Sequence, residues 1–376
     1  MHYLLTYTVP FLVVLTVLVF VHEYGHYRIA RRNGVRVEVF SIGFGPELFG
    51  WTDRAGTRWR FSALPLGGYV RMFGFMPEEE GTAPASLTPE ERAVSFTHKR
   101  ILQKMAVIVA GPAANFLFAM IMLTALYATV GDPIPSARIG VVAEGSVAEA
   151  AGIHTDDVIT AINGQEISDF RDIFRAVREN PEGEMRIEFD REGRTMVVAL
   201  TPKLNAITDI FGRVHKSGQI GLGNNKYIDY REMGVGSAVG LATGTIWAMV
   251  AGTVEAIWGM AIHALPPDNV GGILQIMQFS GDALKKGVIS LCWFMAILSV
   301  NLGLINLFPI PILDGGRLVF YAAEALRGRP LGPRTQEVGN WLGLAMVMSL
   351  MVFANWNDLV RFGLLGSLLN LMGHTH

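Results

Sequence analysis

An uncharged stretch long enough to cross a membrane begins this chain and leads directly into a cluster of ionisable side chains. Residues 3–21 carry no formal charge, and a helix needs roughly 20 apolar residues to cross a bilayer. Residues 22–26 follow as His-Glu-Tyr-Gly-His, a His-Glu-x-x-His signature. Ionisable groups at membrane depth are unfavourable unless they are paired or bind a metal. We therefore expect this stretch to be functional.

The spacing within the signature indicates its chemistry. On a helix, His22 and His26 lie four residues apart on one face, where both imidazoles can bind one Zn2+. Glu23 lies beside them as a potential catalytic base. Such a pair can also be two surface or packed histidines, because the short pattern arises by chance in long chains. Its position at the end of a membrane span favours the metal site.

The whole chain is more apolar than an ordinary soluble protein. Its 376 residues are 51% hydrophobic and 17% charged, with a mean hydropathy of +0.35. This balance predicts a membrane protein that also carries a water-exposed module. The net charge of -2 gives no indication of nucleic-acid binding, and the single Cys292 excludes an intrachain disulfide and a cysteine-based metal site. We expect the first span to be retained, because no basic segment precedes it.

Basic residues beside the apolar runs predict the orientation of the spans. Four arginines follow the first run, and further arginines follow the third. Under the positive-inside rule both places lie in the cytoplasm. We expect four transmembrane helices, with both termini outside, at about residues 3–30, 105–130, 287–313 and 339–357. The Gly/Ala-rich run 235–265 contains Glu255 and is followed by two prolines, so we interpret it as an interfacial helix or a re-entrant segment.

The third apolar run ends at a carboxylate that can complete the metal site. Asp314 follows Pro309 and Pro311, and its expected cytoplasmic position matches the depth of His22. Two histidines leave a catalytic zinc one protein ligand short of the usual three plus water. We therefore expect Asp314 to be the third ligand, with the prolines breaking the helix so that the carboxylate turns toward the site. The alternative is a helix end that faces the cytoplasm.

Residues 36–75 change in character, with short alternating runs separated by glycines. This pattern predicts a small β-sheet or hairpin. The segment 64–72 is apolar enough to approach the membrane, and an exposed edge strand there could pair with an extended peptide. From the pattern alone, an ordinary cytoplasmic hairpin is the simpler interpretation. Residues 77–98, rich in Glu, Pro and Ser/Thr, predict a mobile, solvated loop.

Residues 134–203 predict a soluble module with mixed strands and helices. Asn163-Gly164 is a typical hairpin turn between two of its strands. The order of elements and the amino-acid sequence of residues 145–167 resemble those of a PDZ domain. Such domains bind peptides at a sheet edge; the alternative is a steric module without a ligand. The expected strands lie at 137–142, 157–162, 185–189 and 196–200, and the expected helices at 146–151 and 170–178.

Together these motifs resemble one family of enzymes. Residues 22–26, residues 67–72, the single PDZ-like module and residues 306–316 are similar to the site-2 protease family of intramembrane zinc metalloproteases, specifically its bacterial regulator of sigma-E protease branch. The resemblance implies that His22, His26 and Asp314 bind zinc and that Glu23 is the catalytic base. It also implies that Asn306 holds substrate. The residues that would clamp an unwound substrate in a re-entrant hairpin are Gly68, Tyr69, Val70 and Arg71.

The resulting prediction is a polytopic α-helical membrane protein with four transmembrane helices, a small membrane-associated β-hairpin region and one inserted α+β PDZ domain. The resemblance implies a Zn2+ cofactor, the bacterial inner membrane as location and an active site toward the cytoplasm. Its implied partners are single-span substrates, such as anti-sigma-factor-type regulators and remnant signal peptides, the lipid bilayer, and peptide C-termini or unfolded segments at the PDZ-like domain. The expected regions are 1–33, 34–98, 100–131, 132–204, 205–284, 285–316, 317–337, 338–360 and 361–376.

Two other functions fit parts of the pattern. A PDZ-bearing membrane scaffold would bind peptides without cleaving them, but such a scaffold has no need for the complete set of His22, Glu23, His26 and Asp314. A zinc transporter or sensor could use the same ligands. It would require further acidic or histidine residues along the spans, and these are lacking in the expected spans.

Overall fold

Five helices are long and apolar enough to cross a membrane in the computed structural model, which describes residues 2–75, 87–208, 214–224, 226–262 and 271–363. Four were expected, and the additional one lies in the run 235–265. The model therefore defines a helical membrane protein with an inserted mixed α/β module. The five helices are α1 (His2–Arg32), α3 (Ile101–Thr129), α6 (Val235–Ala261), α8 (Val288–Asn306) and α10 (Pro333–Arg361).

The chain divides into two compact units. The first comprises Met1–Leu126, Val239–Val254 and Pro267–His376, and the second comprises Tyr127–Ala238 and Glu255–Pro266. Besides the long helices, the first unit contains β1 (Val37–Thr52), β2 (Arg58–Met72), α2 (Pro89–Val94), α7 (Ile273–Lys285) and α9 (Asp314–Arg327).

Helix α6 is a single uninterrupted helix of 27 residues, about 40 Å long at roughly 1.5 Å per residue. Two polar contacts join it to its neighbours in the first unit. Thr243 Oγ1 lies 3.9 Å from the sulfur of Met120 on α3, and Thr253 Oγ1 lies 3.1 Å from Asn301 Oδ1 on α8. These contacts favour a helix within the bundle over one lying at the membrane surface.

Helix α7 is held in place by a buried carboxylate of α10. Asp358 is fully buried, and its two oxygens accept hydrogen bonds from the backbone N–H groups of Gly272 and Gln275 at 3.0 and 3.1 Å. These are N-terminal N–H groups that a helix leaves without intrahelical partners. α7 in turn packs on α1, where a side chain at Gly281 would lie 2.8 Å from the backbone oxygen of Thr6. α10 and α7 thus support the helix that carries the histidines.

The two long strands form a small sheet whose centre is the first part of β1. Residues 37–42 pair with residues 58–61 and also, in antiparallel fashion, with residues 68–72. Among the described residues, 68–72 has no strand on its other side and is an edge. The sheet confirms the predicted β region. The expected loop 77–98 instead contains α2, capped by Thr88 and Glu91; residues 76–86 lie outside the described residues.

The module in the second unit follows the predicted order of elements. Asn163 and Gly164 adopt positive φ angles of 51° and 80° between β5 and β6, as the predicted turn requires. A four-stranded sheet with the order β6-β5-β7-β8 packs with α4 and α5 around a core that includes Ile159, Ile187 and Phe189. These elements are β5 (Val158–Ile162), β6 (Gln165–Glu166), β7 (Met185–Arg191), β8 (Arg194–Leu200), α4 (Val147–Ala150) and α5 (Phe170–Glu179).

The module extends beyond the boundary at residue 204 that we expected. β11 pairs with β4 and β12 pairs with β3. The chain up to Arg231 therefore forms strands with the first two strands of the module. These strands have only two to four residues, too few for a periodic pattern in the sequence. The remaining strands are β3 (Asp132–Pro135), β4 (Val141–Val142), β9 (Lys203–Thr208), β10 (Val214–Gln219), β11 (Leu222–Gly223) and β12 (Ile228–Arg231).

Candidate metal centre

Two glycines allow α1 and α3 to approach closely at the histidine signature. A Cβ atom at Gly25 would lie 2.7 Å from Cβ of Ala114, and one at Gly111 would lie 2.9 Å from Cε1 of His22 and still closer to the ring of His26. Real Cβ atoms do not come this close to other heavy atoms. The small residues are therefore required for α3 to form the wall against which both imidazoles rest.

A backbone carbonyl of α3 fixes the orientation of the buried His26. Nδ1 of His26 lies 2.8 Å from the carbonyl oxygen of Val107. A carbonyl oxygen can only accept, so Nδ1 must carry the hydrogen and donate it. In the neutral ring, Nε2 then presents a lone pair toward His22 and Asp314. This pairing of a ligand histidine with a carbonyl is common in metal sites.

Three candidate ligand atoms, one each from His22, His26 and Asp314, lie close together. Asp314 Oδ2 lies 3.2 Å from Nε2 of His22 and 3.3 Å from Nε2 of His26, and the two Nε2 atoms are 3.2 Å apart. Ligand atoms about 2.0–2.1 Å from a tetrahedral metal lie about 3.3–3.4 Å from one another. Asp314 Oδ2 is also buried without a hydrogen-bond partner. The separations and the two-nitrogen, one-oxygen donor set fit a Zn2+ ion with one position open.

Asn115 supports the second imidazole from the opposite side. It is fully buried on α3, and its side-chain amide lies 3.1 Å from Nδ1 of His22, with Nδ2 as the facing atom and Oδ1 without a partner. For Nε2 of His22 to offer a lone pair to a metal, Nδ1 must carry the hydrogen and donate it. Rotating the Asn115 amide, whose two ends are nearly equal in size, presents Oδ1 as the acceptor that this hydrogen needs. Asn115 can then fix the tautomer of His22.

We expect Asn115→Leu to weaken zinc binding by about 10–100-fold, because the leucine keeps the volume but loses the acceptor for His22. Asn115→Asp, which retains an acceptor, is expected to bind zinc more tightly than the leucine variant. Ser299→Ala is the control, since Ser299 Oγ donates to the backbone oxygen of Asn115 at 2.9 Å and does not touch the histidine. Competition with a chromophoric zinc chelator measures the affinities. Equal losses in Asn115→Leu and Ser299→Ala would indicate a packing role only.

The segment between α8 and α9 presents Asp314 to the histidines. α8 ends at Asn306 and α9 begins at Asp314, so the helix break predicted from the two prolines is present. Ile312 has a φ of 85°, which is sterically unfavourable for a β-branched residue and costs on the order of 1–3 kcal/mol. Such strain next to a ligand is typical of functional sites. The carboxylate at the first residue of α9 is further favoured by the helix dipole.

The predicted site residues border one cavity of about 900 Å3. Glu23 lies in its wall, and its electrostatic neighbours are His22, His26, Asp314 and the backbone amide of Val70. Gly68 packs on α1, where an added Cβ would lie 3.5 Å from Cγ of Glu23. The edge strand therefore passes beside the signature. The predicted residues on the cavity wall are His22, Glu23, His26, Gly68, Tyr69, Val70, Arg71, Asn306 and Asp314.

Two further residues at the site were not assigned a role there from the sequence. Asn115 lies on α3, and its contact with His22 depends on the close approach of α3 to α1. Arg317 was used only to orient the third span, yet it borders the same cavity as the three ligands. Its position three residues after Asp314 on one helix is the signal that could have indicated this.

A bundle of apolar helices that brings two histidines, an aspartate and a neighbouring glutamate to one cavity defines a membrane-embedded metalloprotease. The model of peptidase family M50 matches residues 10–350. The chain belongs to peptidase family M50.

Curated relatives match this chain over nearly its whole length. A Rhizobium meliloti protein, named provisionally as a zinc metalloprotease, is 42% identical over 94% of this chain and 97% of its own. The metalloprotease MmpA of Caulobacter vibrioides is 37% identical over 94% of this chain and 95% of its own. A solved PDZ domain of an SdrC-like protein from Listeria monocytogenes covers 26% of this chain and 94% of its own, with 18% identity and a TM-score of 0.20. That TM-score is too low to define the fold of the module.

Proposed function

We propose that this chain is a Zn2+-dependent intramembrane protease that cuts peptide bonds within the transmembrane segments of single-span membrane proteins. The observation that carries the proposal is the convergence of His22, His26 and Asp314 at separations of 3.2–3.3 Å. The relatives' names as zinc metalloproteases support the choice of metal. The position of the signature on a helix of membrane-spanning length supports a reaction within the membrane.

The residues around the metal have separate roles. His22, His26 and Asp314 would hold Zn2+, which when bound supplies Lewis-acid chemistry that makes water reactive near neutral pH. Glu23 accepts a proton from the attacking water and later donates it to the amine of the leaving half of the substrate. The carbonyl of Val107 and the amide of Asn115 hold the two imidazoles in the required orientation.

The edge strand supplies a surface for the substrate. A peptide bond in a helix is shielded by the helix's own hydrogen bonds, so the substrate must unwind before it can react. Among the described residues, 68–72 form a sheet edge beside Glu23, to which an extended peptide could add as another strand. The side chain of Asn306 at the end of α8 borders the same cavity and can hydrogen-bond the substrate backbone.

The proposed topology places the site toward the cytoplasmic face of a bacterial inner membrane. Basic residues occupy the last turns of α1 and α9, which supports a cytoplasmic position for both helix ends. In this arrangement both termini and the module lie outside. The module's element order supports a PDZ domain that binds peptide C-termini or unfolded segments, or excludes bulky outer domains. Anti-sigma-factor-type regulators and remnant signal peptides are the proposed substrates.

The test uses the purified full chain and a single-span reporter in detergent or liposomes. We expect cleavage that stops when a zinc chelator is added and returns when Zn2+ is restored, because the bound metal would supply the Lewis acid that the reaction requires. A reporter with Gly or Pro in its span is expected to be cut faster than one with an uninterrupted Leu/Ala span, since it unwinds at lower cost. Cleavage that is insensitive to chelation would contradict the proposal.

A further inference from the structure

The guanidinium of Arg317 borders the catalytic cavity and has no polar partner among the residues that the structure describes. Arg317 lies on α9, one turn after Asp314, and is half-buried. Its guanidinium carbon lies 4.3 Å from the centre of the Phe75 ring. Among the residues that the structure describes, no carboxylate lies within ion-pair distance of it and no side-chain hydrogen bond is formed by it. An aromatic ring covers one face of the guanidinium but leaves the N–H donors in its plane free.

The other charges in the cavity do not offset that of Arg317. Glu38 is already engaged, at 3.3 Å by Arg71 and at 3.6 Å by Arg36. Among the described residues, the remaining acidic groups on the cavity wall are Glu23 and Asp314, and their two formal charges would balance one Zn2+ ion. The positive charge of Arg317 is then left over in a partly desolvated position, where an unpaired charge is unfavourable.

We propose that Arg317 binds a carboxylate of the substrate close to the scissile bond. A carboxylate is planar and accepts two parallel hydrogen bonds from an arginine, which matches the free edge of this guanidinium. This carboxylate comes either from an acidic side chain of the substrate or from the C-terminus that the cut creates. The proposal rests on the proposed proteolytic function and adds a substrate preference to it.

The course of β2 indicates where such a group would lie. The edge strand leads from Gly68 to Met72, and Phe75 follows three residues later beneath Arg317. Along α9, Arg317 is separated from Asp314 by a rise of about 4.5 Å, and its long side chain adds a few ångströms. An extended substrate advances about 3.3 Å per residue. An acidic side chain of the substrate that reaches Arg317 is therefore expected within roughly two to four residues of the scissile bond.

The experiment compares acidic and amide forms of one reporter. Glutamate, glutamine or lysine is placed in turn at each position up to four residues from the cut, and kcat/KM is measured for the wild type, Arg317→Gln and Arg317→Glu. We expect the wild type to prefer glutamate by about tenfold at one position. Arg317→Gln should lose this preference, and Arg317→Glu should favour lysine there. Arg327→Gln, an exposed arginine at the end of the same helix, is the control and should keep the wild-type preference.

A second arm identifies the source of the carboxylate. Peptides that match the N-terminal product are added with either a free C-terminal carboxylate or an amide. Stronger inhibition by the acid in the wild type, lost in Arg317→Gln, would assign the site to the product terminus and support the proposal without a side-chain preference. If neither preference depends on residue 317 while zinc content is normal, the proposal is overturned.

A binding measurement separates this proposal from the proteolytic one. Full-length Glu23→Gln, with and without Arg317→Gln, is titrated with fluorescent peptides that carry glutamate or glutamine at the tested position and a free or amidated C-terminus, and anisotropy is recorded. A preference for the acid that requires Arg317 would support the carboxylate site even if no substrate is ever cut. Equal binding of acid and amide by both proteins would overturn the proposal even if the wild type cleaves.

Discussion

Replacement of Glu23 by glutamine is expected to lower cleavage by about 10²–10⁴-fold, the usual contribution of a general base. Bound zinc should stay at the wild-type level, because Glu23 borders the cavity without contributing to the three converging ligand atoms. The neutral amide keeps the shape of the side chain but cannot accept the proton of the attacking water. Steady-state cleavage of a single-span reporter, with zinc quantified by mass spectrometry, measures both quantities.

The matched control for this change is Glu47→Gln, which makes the same substitution on the surface of the small sheet, where Glu47 pairs with Arg58 at 2.5 Å. It should cleave like the wild type. Loss of zinc together with activity in Glu23→Gln would instead assign Glu23 a role in holding the metal. Unchanged cleavage would remove it from the reaction and favour a different base.

Replacement of Asp314 by alanine is expected to weaken zinc binding by roughly 10³-fold or more, since the total binding energy of such sites is divided among a few ligands. Cleavage should fall with zinc occupancy. The two histidines would remain close together, at 3.2 Å between their Nε2 atoms, but without the anionic ligand that offsets the charge of the ion. Isothermal titration or chelator competition on the purified full chain measures the affinity.

Asp229→Ala in the module provides the control for Asp314→Ala, because it removes an exposed carboxylate from β12, in the other unit of the chain. Its zinc affinity should equal that of the wild type. A wild-type affinity in Asp314→Ala would show that the metal is held by other groups, and the three-ligand site would then be wrong.

The sequence predicts which candidate ligand side chains lie together, because each of these predictions follows from short-range geometry or membrane depth. His22 and His26 share a helix face by their spacing, and Asp314 was placed beside them by the charges that orient the third span. The structure brings all three together.

The supporting contacts could not be predicted from the sequence, because they depend on how helices pack. Asn115 contacts His22 because Gly25 and Gly111 allow α3 to pack closely against α1. Arg317 contacts the ring of Phe75, which lies 242 residues earlier in the chain. No sequence pattern links the two positions. Hydrophobic periodicity also does not distinguish whether α6 crosses the membrane, enters it partly or lies on it.

The most direct test of the proposed reaction is to map the cut. Purified chain is incubated with a single-span substrate, and the new termini of both products are identified by mass spectrometry. We expect one peptide bond to be broken inside the hydrophobic segment, toward its cytoplasmic end, by the wild type and not by Glu23→Gln. Termini that lie outside the hydrophobic segment, or the same products from Glu23→Gln, would contradict an intramembrane protease that uses this site.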